Sequence, residues 1–205
     1  MFDRYALEAF RPLIERAARE VRERGFTADQ VTLTGFGLGF FSALCIAFGF
    51  YLFAILPLLA GRACDGVDGA VARADGATDR GAFLDIGLDF IFYGSIPLAF
   101  AVSDPANNAQ AAATLLAAFV GTGSSFLAYA IIAEKRGLKS AAYPSKSIYY
   151  LGGLTEGTET VACFVAMCLW PQHFAVIAYF YAALCALTTV TRLVAGWRAF
   201  GSTED

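Results

Sequence analysis

The sequence predicts an all-α membrane protein, with six transmembrane helices preceded by an N-terminal amphipathic interfacial helix. Three observations carry that fold class. Of 205 residues, 58% are hydrophobic and only 16% are charged, where a soluble domain carries roughly a quarter charged residues. Apolar runs of about 20 residues recur, the length at which a helix crosses a bilayer. The Lys and Arg residues gather at alternate ends of those runs.

The first element is the charged N-terminal stretch. It has no apolar centre, so it is not a cleavable signal peptide. Ala6, Phe10, Leu13, Ile14, Ala17 and Val21 recur at helical spacing, with Arg and Glu on the other side. That pattern suits a helix lying in the membrane interface or an ordinary packed surface helix. Six arginines beside a span favour the membrane surface. Pro12 would kink this helix or mark a fresh start. The expected spans then follow at 28–48, 51–73, 81–102, 109–133, 148–170 and 173–197. All connections are short, and neither a repeat nor a low-complexity linker interrupts them. The chain therefore reads as one domain over 1–205, with the interfacial helix at 1–25 and the six-span bundle at 28–197.

Basic residues orient the bundle. Arg4, Arg11, Arg16, Arg19, Arg22 and Arg24 precede the first span, and Arg62, Arg73 and Arg80 cluster where spans two and three meet. Lys135, Arg136, Lys139 and Lys146 separate spans four and five, and Arg192 and Arg198 close the last span. The other three connections hold no Lys or Arg. By the positive-inside rule both termini and the Asp-rich junction of spans two and three face the cytoplasm, and the membrane is the cell inner membrane if the chain is bacterial.

Other residue types narrow the chemistry. The five cysteines, Cys45, Cys64, Cys163, Cys168 and Cys185, sit in apolar stretches without a C-x-x-C pair and read as small buried hydrophobes. His173 is the sole histidine and lies in a "PQH" turn, which argues against zinc and against His-based catalysis. A net charge of −3 and basic residues explained by topology argue against nucleic-acid binding.

The stretch "ACDGVDGAVARADGATDRGAFLDIGLDF" places six aspartates between two very apolar runs. Asp65 and Asp68 are spaced i, i+3, and Asp85 and Asp89 are spaced i, i+4, so each pair shares a helix face. Seven residues, 74–80, connect the two helices, which suggests antiparallel neighbours with the pairs at similar depth. Four carboxylates could then converge. Buried charges are costly unless paired or bound to metal, and Arg73 alone cannot neutralise four. One or two divalent cations would, and all-oxygen ligands suit magnesium, manganese or calcium. Gly66 and Gly69 inside a helix make sense if a ligand or another helix approaches the backbone. With Arg73 they suit a diphosphate. An ion pathway, or carboxylates that simply face water, also fits the spacing. Asp75 and Asp79 read as solvated loop residues.

These residues resemble the signature of the CDP-alcohol phosphotransferases, D-x-x-D-G-x-x-A-R, about eight residues, then G-x-x-x-D-x-x-x-D. Asp65, Asp68, Gly69, Ala72, Arg73, Gly81, Asp85 and Asp89 occupy fixed positions, with a seven-residue spacer. Near the first span, family members often read P-N-x-x-T, where this chain has Ala28-Asp29-Gln30-Val31-Thr32. The resemblance implies two Mg2+ or Mn2+ ions on Asp65, Asp68 and Asp85, with Asp89 contributing and also serving as general base. It implies CDP contacts from Gly69 and Arg73, with Thr78, Asp29, Gln30 and Thr32 bordering the nucleotide. It implies transfer of a substituted phosphate from a CDP-alcohol, CDP-diacylglycerol in the first instance, to an acceptor alcohol with release of CMP in phospholipid synthesis. It also implies a homodimer. A soluble donor of the CDP-choline or CDP-ethanolamine kind is the alternative within the family. A cation or proton transporter is the alternative outside it.

The acceptor side is less marked. Glu156, Glu159 and Thr160 share one face of span five, either as an acceptor pocket or as interhelical hydrogen-bonding groups reaching Arg192. Lys146 and its basic neighbours would hold a phosphorylated acceptor or serve only as topology determinants. The small residues of "GTGSSF", 121–126, suit close helix packing, including a dimer seam.

Overall fold

The computed structural model describes residues 3–137 and 155–201. Among them the chain forms seven α-helices, one short 3-10 turn and no strand. The helices are α1 (Asp3–Glu23), α2 (Ala28–Ala47), α3 (Tyr51–Asp75), α4 (Asp79–Ser103), α5 (Pro105–Lys135), α6 (Gly157–Leu169) and α7 (Phe174–Phe200). α1 runs unbroken through Pro12. Of the fifth expected span, the part before Thr155 lies outside the described residues, as do Lys139 and Lys146.

Local chemistry explains the boundaries. α2 opens with a reciprocal capping box in which the Gln30 amide N–H donates to the Thr27 hydroxyl and the Thr27 N–H donates to the Gln30 side chain. Thr78 caps α4 by accepting from the Gly81 N–H at 3.1 Å. Asp104 caps α5, with Pro105 in the first turn, where a missing N–H costs nothing. Gly76, at φ +100°, turns the chain out of α3. Because Thr78 can start a helix at once, the connection shrinks to three residues, 76–78, rather than the seven expected. Asp75 accordingly ends α3 instead of sitting in a wet loop, and it pairs with Arg22 of α1 at 2.5 Å.

Among the described residues, four stretches are long and apolar enough to cross a membrane: α2, α4, α5 and Pro171–Phe200. Their outward faces carry exposed apolar side chains, among them Val120, Val176 and Trp197. The chain is an integral membrane protein. Inside, Ile46, Leu58, Phe92, Ile96, Phe100, Leu115, Phe164, Met167 and Phe174 are fully buried and form one core. Phe100 stacks on Phe174 with centroids 4.5 Å apart.

Lipid tails are as apolar as leucine, so helices gain little from the hydrophobic effect when they associate there, and close contact must do the work. The α2–α3 seam shows it. A Cβ added to Gly61 would lie 2.7 Å from the Gly35 carbonyl oxygen, and one added to Gly35 would lie 2.9 Å from Cys64 Cβ. α2 also packs closely against α4, whereas α3 and α4 do not pack closely on each other. The sequence suggested direct neighbours. Instead α2 braces both helices and leaves room between them for polar side chains. The small residues of α5 pack within the chain, Gly121 against Thr189 of α7 and Gly123 against Phe90 of α4.

Candidate active site

The site sits where α2, α3 and α4 meet. Their side chains line a small cavity that includes Thr32, Gly61, Arg62, Asp65, Asp68, Asp85 and Asp89. The i, i+3 and i, i+4 spacings do bring carboxylates together. One oxygen from each of Asp65, Asp68 and Asp85 lies within 4.8 Å of the others. Asp68 is buried, at 5% exposure. Two unit charges at that separation repel by about 3–4 kcal/mol at an effective dielectric constant near 20, so the trio calls for a cation. Oxygen-only donors fit a hard divalent ion.

Asp89 stands apart from the trio. Arg62 Nη1 donates to Asp89 Oδ1 at 2.7 Å and lies 3.4 Å from Asp65 Oδ1. The guanidinium carbon sits 4.3 Å from the centre of the Phe92 ring, and the side chain is 13% exposed. By sequence, Arg62 reads as a topology determinant and Arg73 as the positive charge beside the carboxylates. The signal that would have found it is its position one turn before Asp65, on the same helix face.

Thr32 is tied directly to the trio. Its hydroxyl lies 2.6 Å from Asp68 Oδ2 and 3.0 Å from the Ala28 carbonyl oxygen. The α2–α3 seam makes this possible by holding the two backbones in contact. Asp29 pairs with Arg80 at 2.5 Å, beside Thr78 and Gly81, while the Gln30 side chain is engaged in the α2 cap. Arg73 is exposed, with Nη1 lying 3.2 Å from where a Gly69 Cβ would be. The two motif glycines therefore differ: Gly69 admits Arg73, and Gly66 admits Ile14 of α1, 3.3 Å from its would-be Cβ.

A second polar group lies between α5, α6 and α7. Arg192 is buried and donates to the Thr122 carbonyl oxygen at 3.2 Å, with its guanidinium 5.6 Å from the Phe126 ring centre. Thr155 bonds Thr188 at 3.1 Å, and Thr160 shares a 2.7 Å hydrogen bond with the Tyr181 hydroxyl. Glu156 is buried just before α6, and Glu159 lies in its first turn. Lys146 lies outside the described residues.

A helical membrane protein whose polar cavity is lined by four aspartates, an arginine and a threonine, with Gly69 and Arg73 following Asp68 on α3, has the parts of a membrane-embedded phosphotransferase. The family model described as CDP-alcohol phosphatidyltransferase matches residues 26–197. The chain is 46% identical over 204 residues to the inner membrane protein YnjF of Escherichia coli (strain K12), covering 100% of this chain and 99% of that protein. Among solved structures it resembles Mycobacterium tuberculosis phosphatidylinositol phosphate synthase (PgsA1) with CDP-DAG bound, at a TM-score of 0.72 and 22% identity, over 95% of this chain and 98% of that one. The same enzyme in complex with manganese and citrate matches at a TM-score of 0.72 and 22% identity, over 94% and 92%. At that identity the likeness speaks to the fold. The chain belongs to the CDP-alcohol phosphatidyltransferase family and is a transferase of phospholipid synthesis.

Proposed function

We propose that this enzyme moves a phosphatidyl group from CDP-diacylglycerol to an acceptor alcohol and releases CMP, with Mg2+ or Mn2+ ions held by Asp65, Asp68 and Asp85 and with Asp89 contributing. The observation that carries the reading is the convergence of three carboxylate oxygens within 4.8 Å, in a cavity that Asp89 also lines. Bound divalent ions would neutralise the diphosphate and the charge that develops on departing CMP. Gly69 and Arg73 bind the diphosphate, and Thr78, Asp29, Gln30 and Thr32 border the nucleotide. Asp89 takes the proton of the acceptor hydroxyl. The acceptor oxygen bonds to the β-phosphorus, and the bond from that phosphorus to the bridging oxygen breaks, leaving with CMP. Lys146, Glu156, Glu159 and Arg192 belong to the acceptor side.

The setting follows from the same reading. The chain is one domain, with α1 in the membrane interface and six spans, α3 being the second and the α6 region the fifth. Termini and site face the cytoplasm, and two copies form a homodimer. The exposed apolar side chains Phe10 and Leu13 on α1, at 59% and 64%, suit an interfacial helix. The lipid donor is supported by PgsA1, which is described with CDP-DAG bound.

The test is CMP release by purified protein in lipid nanodiscs, with CDP-diacylglycerol, Mg2+ or Mn2+, and a panel of acceptor alcohols. Release should need metal and should disappear in Asp68→Ala and Asp89→Asn. Wild-type release from Asp89→Asn would remove Asp89 as the base. Release from CDP-choline or CDP-ethanolamine alone would move the donor to the soluble class. Ion flux without nucleotide turnover would replace the enzyme reading of this site.

A further inference from the structure

The turn of α3 that carries Asp65 and Asp68 is held on two flanks. At about 3.6 residues per turn, residues 64 and 66 point roughly 100° to either side of Asp65. On one flank α2 touches the turn: a Cβ added to Gly35 would lie 2.9 Å from Cys64 Cβ and 3.7 Å from the Asp65 backbone nitrogen. On the other flank stands α1. Ile14 Cδ1 lies 3.3 Å, and Ile14 Cγ1 3.8 Å, from where a Gly66 Cβ would be. Gly66 presents bare backbone, so Ile14 rests on α3 itself rather than on a side chain that could yield. Ile14, Ala18 and Arg22, spaced i, i+4 and i+8, form one stripe of α1. Ala18 is buried at 4% exposure, and Arg22 pairs with Asp75 at the end of α3, whereas Phe10 and Leu13 stay exposed.

We infer that Ile14 is a positioning residue for the metal site: seated against Gly66, it holds Asp65 and Asp68 in place before a divalent ion arrives. This rests on the metal-dependent reading above. The argument is one of preorganisation. One oxygen from each of Asp65, Asp68 and Asp85 lies within 4.8 Å of the others, and repulsion between any two ionised members pushes α3 and α4 apart. Those two helices do not pack closely on each other, so the helices that flank α3 must resist the displacement. At residues 64–66 the close approaches come from α2 and α1. Without the Ile14 side chain a hollow opens on the α1 flank, and the turn relaxes into it while the site is empty. Restoring the turn then consumes part of the binding free energy of an ion. The cost falls on metal affinity and not on the chemistry of the loaded site.

The experiment measures Mn2+ binding to the full chain in nanodiscs, from the electron paramagnetic resonance signal of free Mn2+, without donor and below the melting temperature of each variant. Ile14→Ala should bind Mn2+ about ten-fold more weakly than wild type, the lower end of what lost support around metal ligands costs. Its CMP release should return to nearly the wild-type rate at saturating Mn2+. Ile14→Val, which lacks only Cδ1, should fall between. Gly66→Val adds three carbons where Ile14→Ala removes three, so alone it should weaken binding by overpacking, and the two together should recover most of the loss. Leu13→Ala, on the exposed side of α1, is the control and should bind as wild type does. Wild-type affinity in folded Ile14→Ala, a rate deficit that saturating Mn2+ leaves in place, no recovery in the double variant, or weakened binding in Leu13→Ala would each overturn the inference while leaving the metal reading intact. No binding by wild type at all would overturn the metal reading itself, and this inference with it. Should Ile14→Ala or Gly66→Val fail to fold, Ile14→Val decides, and wild-type affinity there overturns the inference.

Discussion

Gly61→Ala tests whether the α2–α3 seam sets the geometry of the carboxylate cavity. The added Cβ would lie 2.7 Å from the Gly35 carbonyl oxygen, and ordinary contact begins at 3.4 Å, so the helices must separate by 0.7 Å. Gly35 and Gly61 are both backbone-to-backbone neighbours here, so no flexible side chain can absorb the shift. Gly61 lies two turns before Asp68, and Gly35 lies one turn after Thr32. Carried along the seam, the displacement stretches the 2.6 Å Thr32–Asp68 contact to about 3.3 Å, close to the limit of a hydrogen bond. Overpacking costs about 1–3 kcal/mol, and replacing a helical glycine by alanine returns up to about 1 kcal/mol. A net loss of about 0–2 kcal/mol follows. A misplacement of this size at a reacting centre lowers rate by about 10- to 100-fold. Gly37→Ala is the control: nothing lies within 4 Å of its would-be Cβ, so stability should hold or rise by about 0.5–1 kcal/mol. Thermal unfolding in detergent and CMP release read both. A Gly61→Ala enzyme with wild-type stability and rate, or a Gly37→Ala enzyme equally damaged, would refute the reasoning.

Thr32→Val keeps shape and removes the hydroxyl from Asp68. Hydrogen bonds to charged groups contribute about 1.5–3 kcal/mol to stability, so the melting temperature and CMP release should both fall, and an unaltered rate would count against Thr32 as an Asp68 positioner. Arg80→Ala breaks an ion pair whose arginine is 84% exposed. Such pairs contribute about 0–1 kcal/mol, so melting should barely move, and a large loss of CMP release would mean that Arg80 also contacts substrate. Tyr181→Phe removes the buried 2.7 Å bond to Thr160. Hydrogen bonds within membranes contribute about 0.6–2 kcal/mol, which should appear as a lower melting temperature with donor affinity unchanged.

Most of the architecture was legible in the sequence because its signals are local. Thr27 with Gln30 and Thr78 start helices within about two residues of the expected spans at 28 and 81, whereas Asp104 starts α5 at Pro105, four residues ahead of the expected 109. The aspartate spacings follow from helix geometry alone, and three of the four carboxylates meet as those spacings imply. The length of the α3–α4 connection was overestimated because Asp75 and Asp79 read as loop by polarity. Their helices instead extend to Gly76 and Thr78, where backbone freedom and capping decide the ends.

Membrane character, helical periodicity and the two aspartate faces are already present in the chain, because each follows from composition or from spacing along one helix. Which helices touch depends on contacts between elements and emerges only on folding. α2, not α4, is the close partner of α3, since Gly35 and Gly61 permit backbone contact there. That choice puts Thr32 on Asp68 and leaves room for Arg62 to lie on Phe92 and reach Asp89. Spacing puts Arg62 beside Asp65, but its hold on Asp89, which divides four aspartates into three and one, cannot be read from spacing, because Asp89 sits 27 residues away on another helix.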